Sequence, residues 1–272
     1  MTTVRASDGV ALYAEAHGSG PPVLLSCGLC TTHVNFRPQV EPLVAAGFRA
    51  VLWDYRGHGR SESPDDPEAY TLEQVVDDLG RVLEWAAPGQ PAIVGGLSFG
   101  GLASLHFALD DPGRVRALLL IDSGPGFKNP KAAAAWVKQV ERTASFIETR
   151  GLREFVDGRA GITTVGLRPE LPAAVAAGNA IAEQNPKGLA YFARRITGPA
   201  APVIDRLGEI GVPALVLVGE KDEPFLRAAE VMAKRIPNAT HVCIPGAGHI
   251  ANLEQTEAFD AALLNFLAPF AP

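Results

Sequence analysis

A serine in the run Gly96-Leu97-Ser98-Phe99-Gly100 lies between a short apolar stretch, Ala92-Ile93-Val94-Gly95, and an apolar helical stretch from Leu102 to Leu109. At a sharp strand-to-helix turn, a serine is held in a strained backbone conformation with its hydroxyl pushed out above the sheet. Glycines two residues to either side let strand and helix pass close without Cβ clashes. The helix N-terminus beyond supplies unpaired N–H groups and a positive dipole end for a developing negative charge. A hydroxyl is a weak nucleophile until a base takes its proton, and the base works best when a carboxylate orients it. Two late segments offer those groups. Val218-Gly219-Glu220-Lys221-Asp222 places an acid just past an apolar run, and Pro245-Gly246-Ala247-Gly248-His249 places a histidine just past the next. The predicted set is therefore Ser98 as nucleophile, His249 as base and Asp222 as orienting acid. Glu220, Glu223 and Asp122 compete with Asp222, and Asp122 also ends an apolar run of its own.

The remaining reactive side chains have weaker contexts. Cys27 and Cys30 form a C-x-x-C pair, which serves redox chemistry or half a zinc site in other settings. No second pair accompanies it and Cys243 is isolated, so packing beside the active site is the default reading. His33 follows the first core strand and is divided between pocket and structural roles. His58 lies in an Arg-Gly-His-Gly turn that reads as loop architecture, and His17, His106 and His241 have no supporting context. There is no P-loop, and no G-x-G-x-x-G follows the first strand, so no nucleotide cofactor is implied. The proposed chemistry needs no metal or organic cofactor.

The elements that must position these groups are legible as apolar runs bounded by Gly, Pro or Asp: 23–25, 50–53, 92–94, 117–121, 214–218 and 242–244. Continuous runs suit strands covered on both faces, as in a parallel sheet. The stretches around Val4 and Leu12 alternate more and suit an antiparallel edge hairpin. Helical patterns fill the gaps; in the clearest, Leu72, Val75, Val76, Leu79, Val82 and Leu83 share a face behind a Thr71/Gln74 capping box. The fold class is α/β: a mostly parallel open sheet with helices on both faces, whose ligands sit at the carboxyl ends of the strands. Residues 127–200 break the alternation and read as an inserted helical cap on a core formed by 1–126 and 201–272. The cap carries eleven Lys or Arg against six Asp or Glu, a net +5, in a chain of net charge −6. That excess either draws carboxylate-bearing substrates or docks the cap on an acidic body. The acidic balance, with no basic face, excludes nucleic acid as a partner, and no apolar run approaches a membrane span. The N-terminal residues lack the apolar core of a signal peptide, and three cysteines do not make a disulfide framework. Together these point to the cytoplasm.

The segments around Ser98, Asp222 and His249, with Asp54-Tyr55-Arg56-Gly57-His58-Gly59-Arg60-Ser61, resemble the capped α/β-hydrolases from end to end, in the family's Ser, Asp, His order. The resemblance implies acyl transfer to water through a Ser-His-Asp triad, with the backbone N–H groups of Leu29 and Phe99 as the oxyanion hole. The chain departs from the family at Cys27-Gly28, where His-Gly is usual. The glycine pattern and length look most like carboxylesterases, 3-oxoadipate enol-lactonases and cofactor-free perhydrolases, with carbon–carbon bond hydrolases sharing the layout. An ester or small lactone is the leading substrate class, and a slow-turnover ligand receptor is the alternative of a different kind. Cys30, Phe127, Trp136, Phe146 and Tyr191 are the candidate substrate-binding residues for a small, largely apolar molecule. Oligomeric state is not implied.

Overall fold

The computed structural model describes residues 2–272. In chain order the elements are β1 Thr2–Arg5, β2 Ala11–His17, β3 Pro22–Ser26, α1 Arg37–Ala45, β4 Arg49–Trp53, α2 Leu72–Ala86, β5 Ala92–Leu97, α3 Phe99–Asp110 and β6 Val115–Ile121. Then follow α4 Pro130–Arg150, α5 Leu152–Asp157, α6 Pro172–Ala182, α7 Pro186–Phe192, β7 Ala214–Gly219, α8 Glu223–Arg235, β8 Ala239–Ile244, α9 Ala251–Glu254 and α10 Thr256–Leu267. The strands form one eight-stranded sheet in the order β1-β2-β4-β3-β5-β6-β7-β8. The β1–β2 and β2–β4 pairs are antiparallel, and the other pairs are parallel. The sheet is mostly parallel, with helices packed around it, as the alternation predicts.

Period-two alternation separates the two cores. Leu24, Val51, Trp53 and Val94 face one layer with Val75, Leu79, Leu105 and Met232 of α2, α3 and α8. Val23, Leu25, Ala50, Leu52 and Ile93 face the other, with Leu43 of α1 and Phe259 and Leu263 of α10. Each fully buried aliphatic chain contributes about 1.5–3 kcal/mol relative to exposure. Helix α2 starts where its pattern says: Thr71 Oγ1 accepts the Gln74 N–H at 3.2 Å, and Gln74 Oε1 accepts the Thr71 N–H at 3.0 Å. One strand departs from the reading. β8 is the open edge of the sheet, and Thr240, His241 and Cys243 are exposed rather than covered on both faces. An edge strand needs only one packed face.

Between β6 and β7 the described residues form helices and turns, with no strand. Asn129 caps α4 by accepting the Lys131 and Ala132 N–H groups ahead of Pro130, and Asn185 caps α7 in the same way ahead of Pro186. Val140, Ala144 and Ile147 form the buried stripe of α4. Several insertion cations meet acids of the body at the surface: Lys128 with Asp205, Lys187 with Asp65 and Arg195 with Glu68. Three of the eleven basic residues of 127–200 are paired in this way. No helix among the described residues is long and apolar enough to cross a membrane.

Candidate active site

Ser98 joins β5 to α3 at φ 54°, ψ −114°, a left-handed conformation that costs on the order of 1–3 kcal/mol for a residue with a side chain. Hydrogen bonds hold it there. Its N–H donates to the Ile121 carbonyl at 2.9 Å, and its own carbonyl accepts the Ser123 hydroxyl at 2.6 Å. The flanking glycines are needed because the turn presses on the end of β3. A Cβ on Gly96 would stand 2.1 Å from the Ser26 carbonyl oxygen, and one on Gly100 would stand 2.4 Å from it.

The acid and the histidine come from the two adjoining loops after β7 and β8. Those loops are zipped by backbone: Lys221 N–H donates to the Ala247 carbonyl at 2.7 Å, and a Cβ on Gly219 would lie 2.1 Å from the Gly248 oxygen. Glu254, buried at 3% exposure, accepts the Gly248 N–H at 2.7 Å and the Ile250 N–H at 3.2 Å, gripping the chain on both sides of His249. The ring of His249 stacks on Phe225, with centroids 4.8 Å apart. Its Nδ1 meets Asp222 Oδ2 at 2.7 Å, and a carboxylate there fixes the proton on Nδ1, leaving Nε2 with a bare lone pair. Of the competing acids, Asp122 does not take this place. Its Oδ1 accepts the Gly219 N–H at 2.7 Å, and burial, with the charge of Asp222 behind it, pushes its carboxyl well above the usual range.

The loop after β3 carries Leu29. Gly28 N–H donates to Thr31 Oγ1 at 2.7 Å, the Cys27 carbonyl accepts the Tyr55 hydroxyl at 3.0 Å, and a Cβ on Gly28 would lie 3.3 Å from Ser98 Cβ. Beyond Leu29, His58 Nε2 accepts the Cys30 N–H at 3.3 Å. Burial lowers the His58 pKa to about 4, so the ring is neutral and free to accept. His33 is committed to Asp54, with Nδ1 at 2.8 Å from Oδ2, and does not line a cavity at the serine. Burial pushes the Cys30 thiol up to about 12 and the Cys27 thiol well above its ordinary value, which disfavours the thiolate.

Two chambers meet at Ser98. The smaller, about 210 Å³, is lined by Leu29, Phe99, Leu102, Phe127, Trp136 and Phe225, among others. The larger, about 660 Å³, contains Cys30, Trp136, Thr143, Arg159, Asp222 and His249 in its wall. The structure therefore brings Ser98, Asp222 and His249 to one cavity and places Leu29, Phe99, Cys30, Phe127 and Trp136 around them. Two expected substrate-binding residues stand elsewhere. Phe146 neighbours the buried Ile147 on α4, so helical geometry turns it a quarter-turn away, 36% exposed against Phe155. Tyr191 packs on Tyr70 with ring centroids 5.6 Å apart, at the seam between insertion and body. Sequence reasoning missed Glu254, Arg159 and Gln184. The spacing of Glu254, six residues beyond Gly248, was the available signal; the other two had none.

A family model described as alpha/beta hydrolase fold matches residues 21–256. The chain is 30% identical over 270 residues to a Variovorax paradoxus protein provisionally named carbamate hydrolase RutD, spanning 94% of this chain and 96% of that one. It is also 30% identical over 273 residues to the 2-hydroxy-6-oxononadienedioate/2-hydroxy-6-oxononatrienedioate hydrolase of Cupriavidus pinatubonensis, spanning 95% of this chain and 87% of that one. Among solved structures, the enol-lactonase of Burkholderia xenovorans superposes with a TM-score of 0.82 at 25% identity, covering 98% of this chain and 100% of its own.

Proposed function

The chain belongs to the α/β-hydrolase fold family, and we propose that within it the protein is a serine hydrolase cleaving a carboxylic ester or small lactone through an acyl-enzyme on Ser98. One observation carries the reading: a histidine hydrogen-bonded to a buried carboxylate shares a cavity with a serine on a strained turn. His249 Nε2 takes the Ser98 proton as the hydroxyl attacks the carbonyl carbon. Asp222 holds the tautomer and stabilises the imidazolium. The Leu29 and Phe99 N–H groups, which have no hydrogen-bond acceptor among the described residues, receive the oxyanion. His249 then protonates the leaving group, and water repeats the sequence to release the acid. Residues 127–200 act as the cap that closes the two chambers.

The chambers favour a substrate with a compact apolar part and a polar arm. Arg159 lines the larger chamber and has no ion-pair or hydrogen-bond partner among the described residues, so a carboxylate on that arm suits it. The named substrate of the Cupriavidus relative is a dienedioate, and the Burkholderia neighbour is an enol-lactonase. The test is a panel of neutral aryl esters, aryl half-esters of dicarboxylic acids, lactones and vinylogous diketones, with and without a fluorophosphonate. Turnover of an ester or lactone, lost in Ser98→Ala and blocked by the fluorophosphonate, is the expected result. Tight binding without turnover would move the protein to the receptor class, and preference for the diketone would make it a carbon–carbon bond hydrolase. Arg159→Gln is expected to raise KM for the half-esters roughly tenfold to a hundredfold while sparing the neutral esters.

A further inference from the structure

The segment bearing the Leu29 N–H is held at both ends by groups outside it. On one side, Gly28 and Thr31 close on each other, with Thr31 N–H on the Gly28 carbonyl at 3.1 Å. On the other side, Cys30 adopts φ 64°, a left-handed conformation that a side-chain-bearing residue keeps only when its surroundings enforce it. Two contacts do so. The Cys30 N–H donates to His58 Nε2 at 3.3 Å, and the Cys30 carbonyl accepts from Gln184 Nε2 at 2.8 Å.

Gln184 belongs to the helical insertion, two residues beyond α6, and is 6% exposed. Its other end is also used: Oε1 accepts the Gly59 N–H at 2.8 Å. One buried amide thus joins the insertion to two body loops, using a donor and an acceptor at once, which no carboxylate can do when ionised. The surrounding fit is tight. A Cβ on Gly57 would meet the Gly188 carbonyl oxygen at 2.9 Å, and the Phe192 ring lies 4.4 Å from His58 and 5.1 Å from Phe99.

We propose that Gln184 is a positioning residue for the oxyanion hole: by clamping the Cys30 peptide it aims the Leu29 N–H, so the hole is complete only while the insertion is seated. The proposal rests on the reading of Leu29 and Phe99 as the two donors. It makes transition-state stabilisation depend on a residue that touches no substrate. A donor displaced by a fraction of an ångström loses much of its value to a developing oxyanion while leaving ground-state binding untouched.

The experiment compares the wild type with Gln184→Glu, which keeps the shape and the Gly59 contact and, assayed at a pH at which its carboxyl is ionised, cannot donate to Cys30, and with Gln184→Met, which loses both contacts. For a neutral aryl ester, kcat should fall roughly tenfold to a hundredfold with KM nearly constant. The second-order rate at which a fluorophosphonate phosphonylates Ser98, displacing fluoride, should fall by the same factor. Amide exchange at Cys30 and Thr31 should quicken in both variants, while exchange in β5 and β6 stays as in the wild type. Unchanged kcat and unchanged Cys30 exchange in Gln184→Glu would overturn the clamp, as would a fall in kcat with an undiminished phosphonylation rate. Should either variant fail to fold, the other carries the comparison. If the wild type shows no Ser98-dependent turnover, the hydrolase reading fails on that ground alone, and the exchange rates still decide whether Gln184 holds the loop.

Discussion

The loop that presents His249 is fastened by its own surroundings in the sheet, whereas the loop that presents Leu29 is fastened by groups arriving from two distant segments, 55–58 and Gln184. On the first side, backbone bonds between the β7 and β8 loops and the carboxylate of Glu254, five residues beyond the histidine, make the support nearly local. On the second side, Tyr55, His58 and Gln184 each supply one hydrogen bond, and the last comes from the insertion. A proton-transfer pair needs two side chains at fixed distance, which adjoining strand ends provide. In the proposed reading, a donor pair for an oxyanion must also suit a substrate closed in by residues 127–200, and one of its supports, Gln184, comes from that stretch.

The comparison is broken most forcefully at the acid. Asp222→Asn should lower kcat by about four orders of magnitude, since the amide no longer fixes the tautomer of His249. Asp122→Asn, one strand over, should leave kcat within a few-fold, because the amide oxygen can still accept the Gly219 N–H and His249 is hydrogen-bonded to Asp222 instead. Steady-state kinetics of the two variants side by side checks this, and equal losses would show that both carboxyls serve the base.

On the Leu29 side, pH is the sharper tool. His58 binds its proton at about 4 in the folded protein against 6.5 for the free group, so the unfolded chain takes up the proton first as pH falls. Its contribution is full above pH 6.5 and is lost progressively down to about pH 4, amounting to about 3 kcal/mol by linkage. Urea midpoints of the wild type and His58→Gln across that window should diverge accordingly. The raised carboxyl of Asp122 pulls the opposite way in both proteins and cancels in the difference. Parallel profiles would mean that His58 is not held neutral.

A smaller effect is expected at Glu254. Glu254→Gln keeps one acceptor for two N–H groups, so one buried donor is orphaned at about 1–3 kcal/mol of stability. Thermal melts give that number. A kcat loss confined to this variant's folded fraction would place Glu254 in support of the fold alone, and a loss beyond it would place it in support of His249.

The same asymmetry explains what the sequence discloses. The sheet is legible because buried parallel strands write themselves as continuous apolar runs, and α2 because Thr71 and Gln74 mark its start. Ser98, Asp222 and His249 stand out because glycines and strand ends bracket each of them. Gln184 and Arg159 carry no such bracket: their partners or vacant neighbours lie more than a hundred residues away or in a cavity. Phe146 and Tyr191 show the converse difficulty. Aromatic type is visible in a sequence, but the facing of a helix by a quarter-turn is decided by which neighbour, here Ile147 or Tyr70, claims the packed side.

The left-handed backbone at Ser98 has a consequence for the protein as an evolving object. A glycine tolerates φ 54° at little conformational expense, so Ser98→Gly should unfold at higher denaturant concentration than the wild type, by about 1 kcal/mol. If Ser98 is the nucleophile proposed, thermodynamic robustness and reactivity compete at one position.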